Sequence, residues 1–185
     1  MNTHSHFQRP TKETSFTTEH LASLYGTRYR IVELAAAIHC DAVLDTPVYW
    51  PNNEKFVQRG NDLGERMMNA FDDSFNKGYK RVIGVGSDLP DLSAEIMTQG
   101  IEQLKENDTV FGPSEDGGYY LIGMTKLIPQ IFENKAWSTE SLLDDTQIEL
   151  KELGYSIELL QTLNDVDTIE DLRNSSIAER FSELM

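Results

Sequence analysis

The stretch "TVFGPSEDGGYYLIGM" occupies residues 109–124. Two apolar runs, 109–112 and 119–124, flank an interval that carries Glu115 and Asp116 directly before Gly117 and Gly118. The apolar runs read as strands. A turn between strands needs a glycine wherever φ must be positive, but it does not need acids as well. Bare backbone beside two carboxylates suits a place where a ligand approaches the main chain closely. On that reading Asp116 faces the ligand or a metal, and Tyr119 or Tyr120 walls the pocket. Alternation sends at least one of the two tyrosines to the core.

The surroundings alternate between helical and extended patterns. Upstream, "RVIGVGSD" (81–88) is a short, nearly continuous apolar run of the kind buried on both faces of a sheet. Before it, "NDLGERMMNAFDDSFNKG" (61–78) places Leu63, Met67, Ala70, Phe71 and Phe75 on one helical face, with Gly78 as the stop. Residues 19–40 are helical in pattern through Leu21, Leu24, Tyr25, Tyr29, Val32, Ala36 and Ala37. "AVLDTPVYW" then reads as extended, with Pro47 marking an edge strand or a bulge. Between the two central strand patterns, Asp91 or Ser93 caps a helix carrying Leu92, Ile96, Ile101 and Leu104. Downstream follow a helix in "STESLLDDTQIELKELG", a strand in "YSIELL" and a last helix opened by Thr168. Short links and no internal repeat imply one α/β domain, residues 19–185, built as helices on a mostly parallel sheet. Residues 1–18 are polar and carry His4 and His6, and are expected to be a flexible tail.

Composition narrows the function classes. The chain has 185 residues, with 31 acids against 16 bases and a formal net charge of −15. A phosphate-backbone binder needs a basic face, and none is present, so nucleic acid is not an expected partner. No apolar run reaches the roughly 20 residues that span a bilayer, and the N-terminus lacks the apolar core of a secretory signal. Cys40 is the only cysteine. A cytoplasmic protein with no membrane partner is expected. Gly84 and Gly86 form a G-x-G without the third glycine of a dinucleotide fingerprint, and there is no phosphate loop, nucleophile elbow or zinc spacing.

Three acidic spots follow apolar strands: Asp88, the pair Glu115 and Asp116, and the pair Asp165 and Asp167. In α/β sheets ligands bind beyond the carboxyl ends of the strands. One acid at such a point caps a helix or tightens a turn as readily as it binds anything. Three at strand ends repel one another unless a cation is present. Mg²⁺ or Mn²⁺ takes oxygen ligands and commonly binds one or two carboxylates together with substrate phosphates.

The strings "QRGNDLGERMMNAF", "VIGVGSDLPDL", "GPSEDGGYYLIGM", "WSTESLL" and "LNDVDTIEDL" occur in that order. Together they resemble the bacterial glycosyltransferase-like family "transferase 1, radical SAM/selenodomain-associated", over roughly residues 19–173. The resemblance implies a GT-A-like nucleotide-diphospho-sugar transferase fold, a three-layer α/β sandwich. It implies a metal- and nucleotide-binding role for Asp88, an acceptor or sugar border at Glu115, Asp116, Gly117, Gly118 and Tyr119, and cation binding at Asp165 and Asp167. It also maps Asn61, Asp62, Gly64 and Arg66 onto a substrate-side element, where Arg66 pairs with a phosphate or fixes the loop by a salt bridge. The chain departs from the family at its start. The family's first strand and basic loop are not matched by "MNTHSHFQRPTKETSF", so the first strand is expected to be missing or replaced. The strand at 81–88 would then either have an unpaired neighbour or gain a partner from another chain, as in a homodimer.

The function expected from this reading is metal-dependent transfer of a sugar from a nucleotide-sugar to a small acceptor, with Asp116 as base. The alternatives are a nucleotidyltransferase on a related scaffold and a truncated, non-catalytic binding or assembly relative.

Overall fold

The structure is a computed structural model and describes residues 38–40, 55–86, 89–166, 168–179 and 181. β1 (Ile38–Cys40) and β2 (Lys55–Val57) pair in parallel. β3 (Val82–Val85), β4 (Thr109–Pro113), β5 (Tyr119–Met124) and β6 (Ile157–Leu159) form a four-stranded sheet in the order β3-β5-β4-β6. The helices are α1 (Leu63–Asn76), α2 (Ala94–Gln103), α3 (Leu142–Glu152) and α4 (Ile169–Asn174), with a 3-10 turn at Pro129–Ile131. Among the described residues no helix is long and apolar enough to cross a membrane.

The sheet is mixed, which corrects the expectation of a mostly parallel one. β5 runs antiparallel to both β3 and β4, while β4 and β6 are parallel. Only residues 114–118 separate β4 from β5. A parallel return needs a crossover of a dozen or more residues, so so short a link can only make a hairpin. β3, β4 and β6 nevertheless point the same way, because each of the first two is antiparallel to β5.

Helices cover both faces of this sheet. On one face Phe71 of α1 and Leu143 and Leu150 of α3 pack with Phe111, Ile122 and Met124 and with Ile128, Ile131 and Phe132. On the other, Leu92, Ile96 and Leu104 around α2 pack with Val110, Leu121 and Leu160. Neighbours such as Val110 and Phe111, or Leu121 and Ile122, divide between the layers as strand alternation requires. α4 adds a small cluster of Leu172, Ile177 and Phe181.

A bulge breaks the alternation at the start of β5. The register steps from Gly112 opposite Leu121 to Pro113 opposite Tyr119, leaving Tyr120 as the extra residue. Tyr119 therefore joins the α1/α3 layer, edge-on to Phe111 with ring centroids 5.2 Å apart. Tyr120 packs in the α2 layer over Gly112, where a Cβ would lie 2.3 Å from its ring.

Two helix starts follow the caps read from sequence, while α3 starts at Ser141 with no side-chain cap bond. Ser93 caps α2, and Thr168 caps α4 in a reciprocal box with Asp171. Two local expectations are corrected. Residues 38–40 form a strand where a helix was expected, because pairing with β2 outweighs the helical spacing. β3 is only half-buried and ends on the exposed Val85, since it lies at an edge of the four-stranded sheet. The tail at 1–18, the remainder of the predicted first helix and the segment with Pro47 lie outside the described residues.

Candidate functional site

The carboxyl ends of β3, β4 and β6 share one rim, and the turn with Glu115 and Asp116 leaves the sheet there. The β4–β5 turn closes on itself: the Ser114 N–H donates to Gly118 O at 3.1 Å, and the Gly117 N–H to Ser114 O at 3.2 Å. Beyond β6 the chain continues beside this turn. The Leu163 N–H donates to Pro113 O at 3.0 Å, and the Glu115 N–H donates to Leu163 O at 3.2 Å. Ser114 and Leu163 form a parallel bridge. Asp165, half-buried, thus follows a residue locked to the acidic turn. On the other side, the Gly86 N–H donates to Tyr120 O at 2.9 Å and carries the ladder past Val85 toward Asp88. Asp88 and Asp167 lie outside the described residues.

Asp116 is exposed, and its Oδ1 accepts two hydrogen bonds, from the Ser114 hydroxyl and from the Gly118 N–H at 2.9 Å. Among the described residues no donor reaches its Oδ2. Gly118 sits so close that a Cβ there would lie 3.2 Å from both Asp116 Oδ1 and Ser114 Oγ. At Gly117, φ is +87° and a Cβ would lie 2.0 Å from Glu140 O. The close approach that this glycine permits is thus made by the chain's own backbone at Glu140. The Leu143 N–H of α3 donates to Gly117 O at 3.1 Å, which docks that helix start on the turn.

The residues around 61–66 build the start of α1. The Asp62 carboxylate accepts from the Glu65 N–H at 2.8 Å, and Glu65 Oε2 accepts from the Asn61 N–H at 2.8 Å and from Asn61 Nδ2 at 2.9 Å. Arg66 Nε donates to Gly60 O at 3.3 Å. Gly64 is buried against the 132–137 segment, where a Cβ would lie 2.4 Å from Phe132 O and 3.2 Å from the Trp137 ring. One loop therefore joins two of the elements singled out in the sequence, touching Gly64 at Trp137 and Gly117 at Glu140. A groove beside it is lined by Asp62, Glu65, Met68, Phe132 and Glu133.

Tyr119 turns inward instead of walling the rim. Its hydroxyl is buried without a hydrogen-bond partner, and burial pushes its pKa up. The Tyr120 hydroxyl donates to Gln161 O at 3.0 Å.

Several acids near the rim serve the helices. Glu65, Glu95, Asp144, Asp145, Glu170 and Asp171 lie in first helical turns, where carboxylates offset the helix dipole. Glu115 and Asp116 are exposed at the turn and Asp165 is half-buried, and all three offer oxygen, the donor type a hard divalent ion takes. Among the described residues no three His, Cys, Asp or Glu side chains are grouped closely enough to hold a metal by themselves. Sequence reasoning missed Ser114 and Glu140. Serine two residues before an aspartate in a turn is a known local hydrogen-bonding pattern and could have flagged the first. Nothing local marks the second.

Residues 32–139, more than half of the chain, match the family described as "Uncharacterized protein conserved in bacteria (DUF2064)". The matched span includes Asn61, Asp62, Gly64, Arg66, Asp88 and residues 115–119, and it ends before Asp165. No curated protein matches the chain. Ten chains of known structure do. One of them is the crystal structure of a "putative nucleotide-diphospho-sugar transferase" from Desulfovibrio desulfuricans G20, with a TM-score of 0.77 and 28% identity over 89% of this chain and 81% of that one. That likeness agrees with the helix-covered sheet described above and supports a GT-A-like relationship. On the family match, the chain belongs to the DUF2064 family.

Proposed function

We propose that this protein transfers a sugar from a nucleotide-sugar to a small acceptor with the help of Mg²⁺ or Mn²⁺, within the radical SAM/selenodomain-associated branch of glycosyltransferase-like proteins. The observation that supports the reading is the ladder joining Gly86 to Tyr120 and Leu163 to Pro113 and Glu115, which sets side by side the ends of the strands that precede the acidic residues in sequence. The structural neighbour's name points to the same substrate class.

Asp116 Oδ2 takes the proton of the acceptor hydroxyl. The acceptor oxygen bonds to the anomeric carbon as the bond from that carbon to the diphosphate breaks, and the nucleoside diphosphate leaves with the electron pair. A cation held by Asp88, Asp165 and Asp167 would neutralise the departing diphosphate. Glu115, Gly117 and Gly118 border the acceptor. Asn61, Asp62 and Gly64 border the substrate at the start of α1, and the Arg66 guanidinium of the same element pairs with a phosphate.

Thermal unfolding with UDP- and GDP-sugars, with and without Mn²⁺, tests the reading. A rise in Tm that needs both nucleotide-sugar and Mn²⁺, and that Asp165→Asn abolishes, is the expected result. No rise with any nucleotide-sugar sinks it. Release of pyrophosphate from a nucleoside triphosphate would mark a nucleotidyltransferase instead.

A further inference from the structure

We infer that Ser114 is a positioning residue that aims Asp116, so that this aspartate acts through Oδ2 alone. The inference rests on the proposed role of Asp116 and deepens it. Ser114 is buried, with 8% of its surface exposed, whereas Asp116 two residues on is exposed. The Ser114 main chain is fixed three ways: its N–H donates to Gly118 O, its carbonyl accepts from the Gly117 N–H, and it bridges Leu163. Its hydroxyl is therefore presented from a rigid base, and it donates to Asp116 Oδ1. The Gly118 N–H fills a second acceptor position on the same oxygen. Two donors on one oxygen fix the rotation of the carboxylate plane, and the other oxygen is left toward solvent at the rim.

The geometry has a chemical consequence. A carboxylate with Oδ1 occupied by two donors does not chelate a cation through both oxygens. Asp116 can accept one O–H or N–H from an acceptor, or give one oxygen to a metal. Orientation matters here because a reacting group displaced by about 1 Å costs up to about a hundredfold in rate. Gly118 belongs to the same device, since a side chain there would press on both members of the pair.

The test compares Ser114→Ala, Ser114→Thr and Asp116→Asn in the full chain. Turnover is followed as nucleoside diphosphate released from UDP- and GDP-hexoses with Mn²⁺, and crystals of the Ser114→Ala variant report the Asp116 side chain. We expect Ser114→Ala to lower kcat at least tenfold with KM within about twofold and with little change in Tm. Ser114→Thr should restore most of kcat, and Asp116 should take more than one orientation in the Ala variant. A single unchanged Asp116 orientation, or equal loss in the Thr and Ala variants, overturns the inference while leaving the transferase reading intact. Full turnover by Asp116→Asn, or none by the unmodified chain, overturns the reading of Asp116 as base, and the crystal then decides the orienting role by itself.

Discussion

Two glycines with nearly the same backbone angle lie at opposite ends of the sheet. Gly117, at the carboxyl ends of the strands, has φ +87°, and a Cβ there would lie 2.0 Å from Glu140 O. Gly154, between α3 and β6 at the other end, has φ +83° and no heavy atom within 4 Å of a Cβ. Gly154 is needed only for its conformation, as the stop of a helix. Gly117 is needed for its conformation and for its lack of volume, because another loop is seated on it. Crowded, non-local contacts at the candidate site contrast with open, local ones at the far end. Gly117→Ala should therefore cost about 4 kcal/mol, combining left-handed strain with displacement of the 136–141 loop. Gly154→Ala should cost only about 1 kcal/mol. Urea denaturation of both variants measures the difference, and similar losses would break the comparison.

Two aspartates repeat the contrast with the roles reversed. Asp116 is held by the Ser114 hydroxyl and the Gly118 N–H, partners two residues away. Asp108, at the amino end of β4, is held by the Ser156 N–H and the Ser156 hydroxyl, both at 2.9 Å and 48 residues away. The Asp108 N–H in turn donates to Ser156 Oγ at 2.8 Å. This pair clasps the starts of β4 and β6, so Asp108 serves the fold, whereas Asp116 stays exposed on its turn. The Ser156 N–H, then its hydroxyl, hold the Asp108 carboxyl below the usual aspartate range. A depressed folded pKa adds stability that is present above the unfolded value, near pH 4, and is lost as pH falls through the folded value. Asp108→Ala should cost about 2 kcal/mol at pH 7 and less at pH 3, measured by denaturation at both. Asp116→Asn should change stability by no more than about 0.5 kcal/mol at pH 7 while abolishing transfer. A large stability loss for Asp116→Asn would make it a second structural clasp.

The sequence was most legible where the governing interactions are local. Apolar runs marked β3 to β6, and Ser93 and Thr168 announced two helix starts, because a cap acts within three residues of itself. The shared direction of β3, β4 and β6 is as the α/β pattern implied, whereas β5 runs against it. The error about β5 was avoidable, since the interval 114–118 is too short for a crossover. The seat of Glu140 on Gly117 and the clasp of Ser156 on Asp108 join distant parts of the chain, and no spacing announces them. Asn61, Asp62 and Gly64 were legible as a motif but not in role: their contacts are those of a helix cap and a packed turn.

The adjacent tyrosines carry the comparison to single atoms. As neighbours on a strand the two side chains enter opposite layers, the bulge at Tyr120 decides which layer each enters, and their hydroxyls have different fates. Tyr120 Oη donates to Gln161 O just beyond β6, so Tyr120→Phe removes a bond and leaves that carbonyl short of a partner. The expected loss is about 1 kcal/mol. Tyr119 Oη is buried with no partner, so its desolvation is already uncompensated, and Tyr119→Phe removes the unsatisfied group while keeping the ring against Phe111. Stability should be unchanged or rise by up to about 1 kcal/mol. Paired thermal melts of the two variants therefore should move in opposite directions or differ clearly in size. If both lose the same stability, Tyr119 Oη has a partner such as a bound water, and the asymmetry assigned to the bulge is wrong at that position. If Tyr119→Phe gains stability but also lowers turnover, the hydroxyl beneath the acidic turn contributes to the site from below.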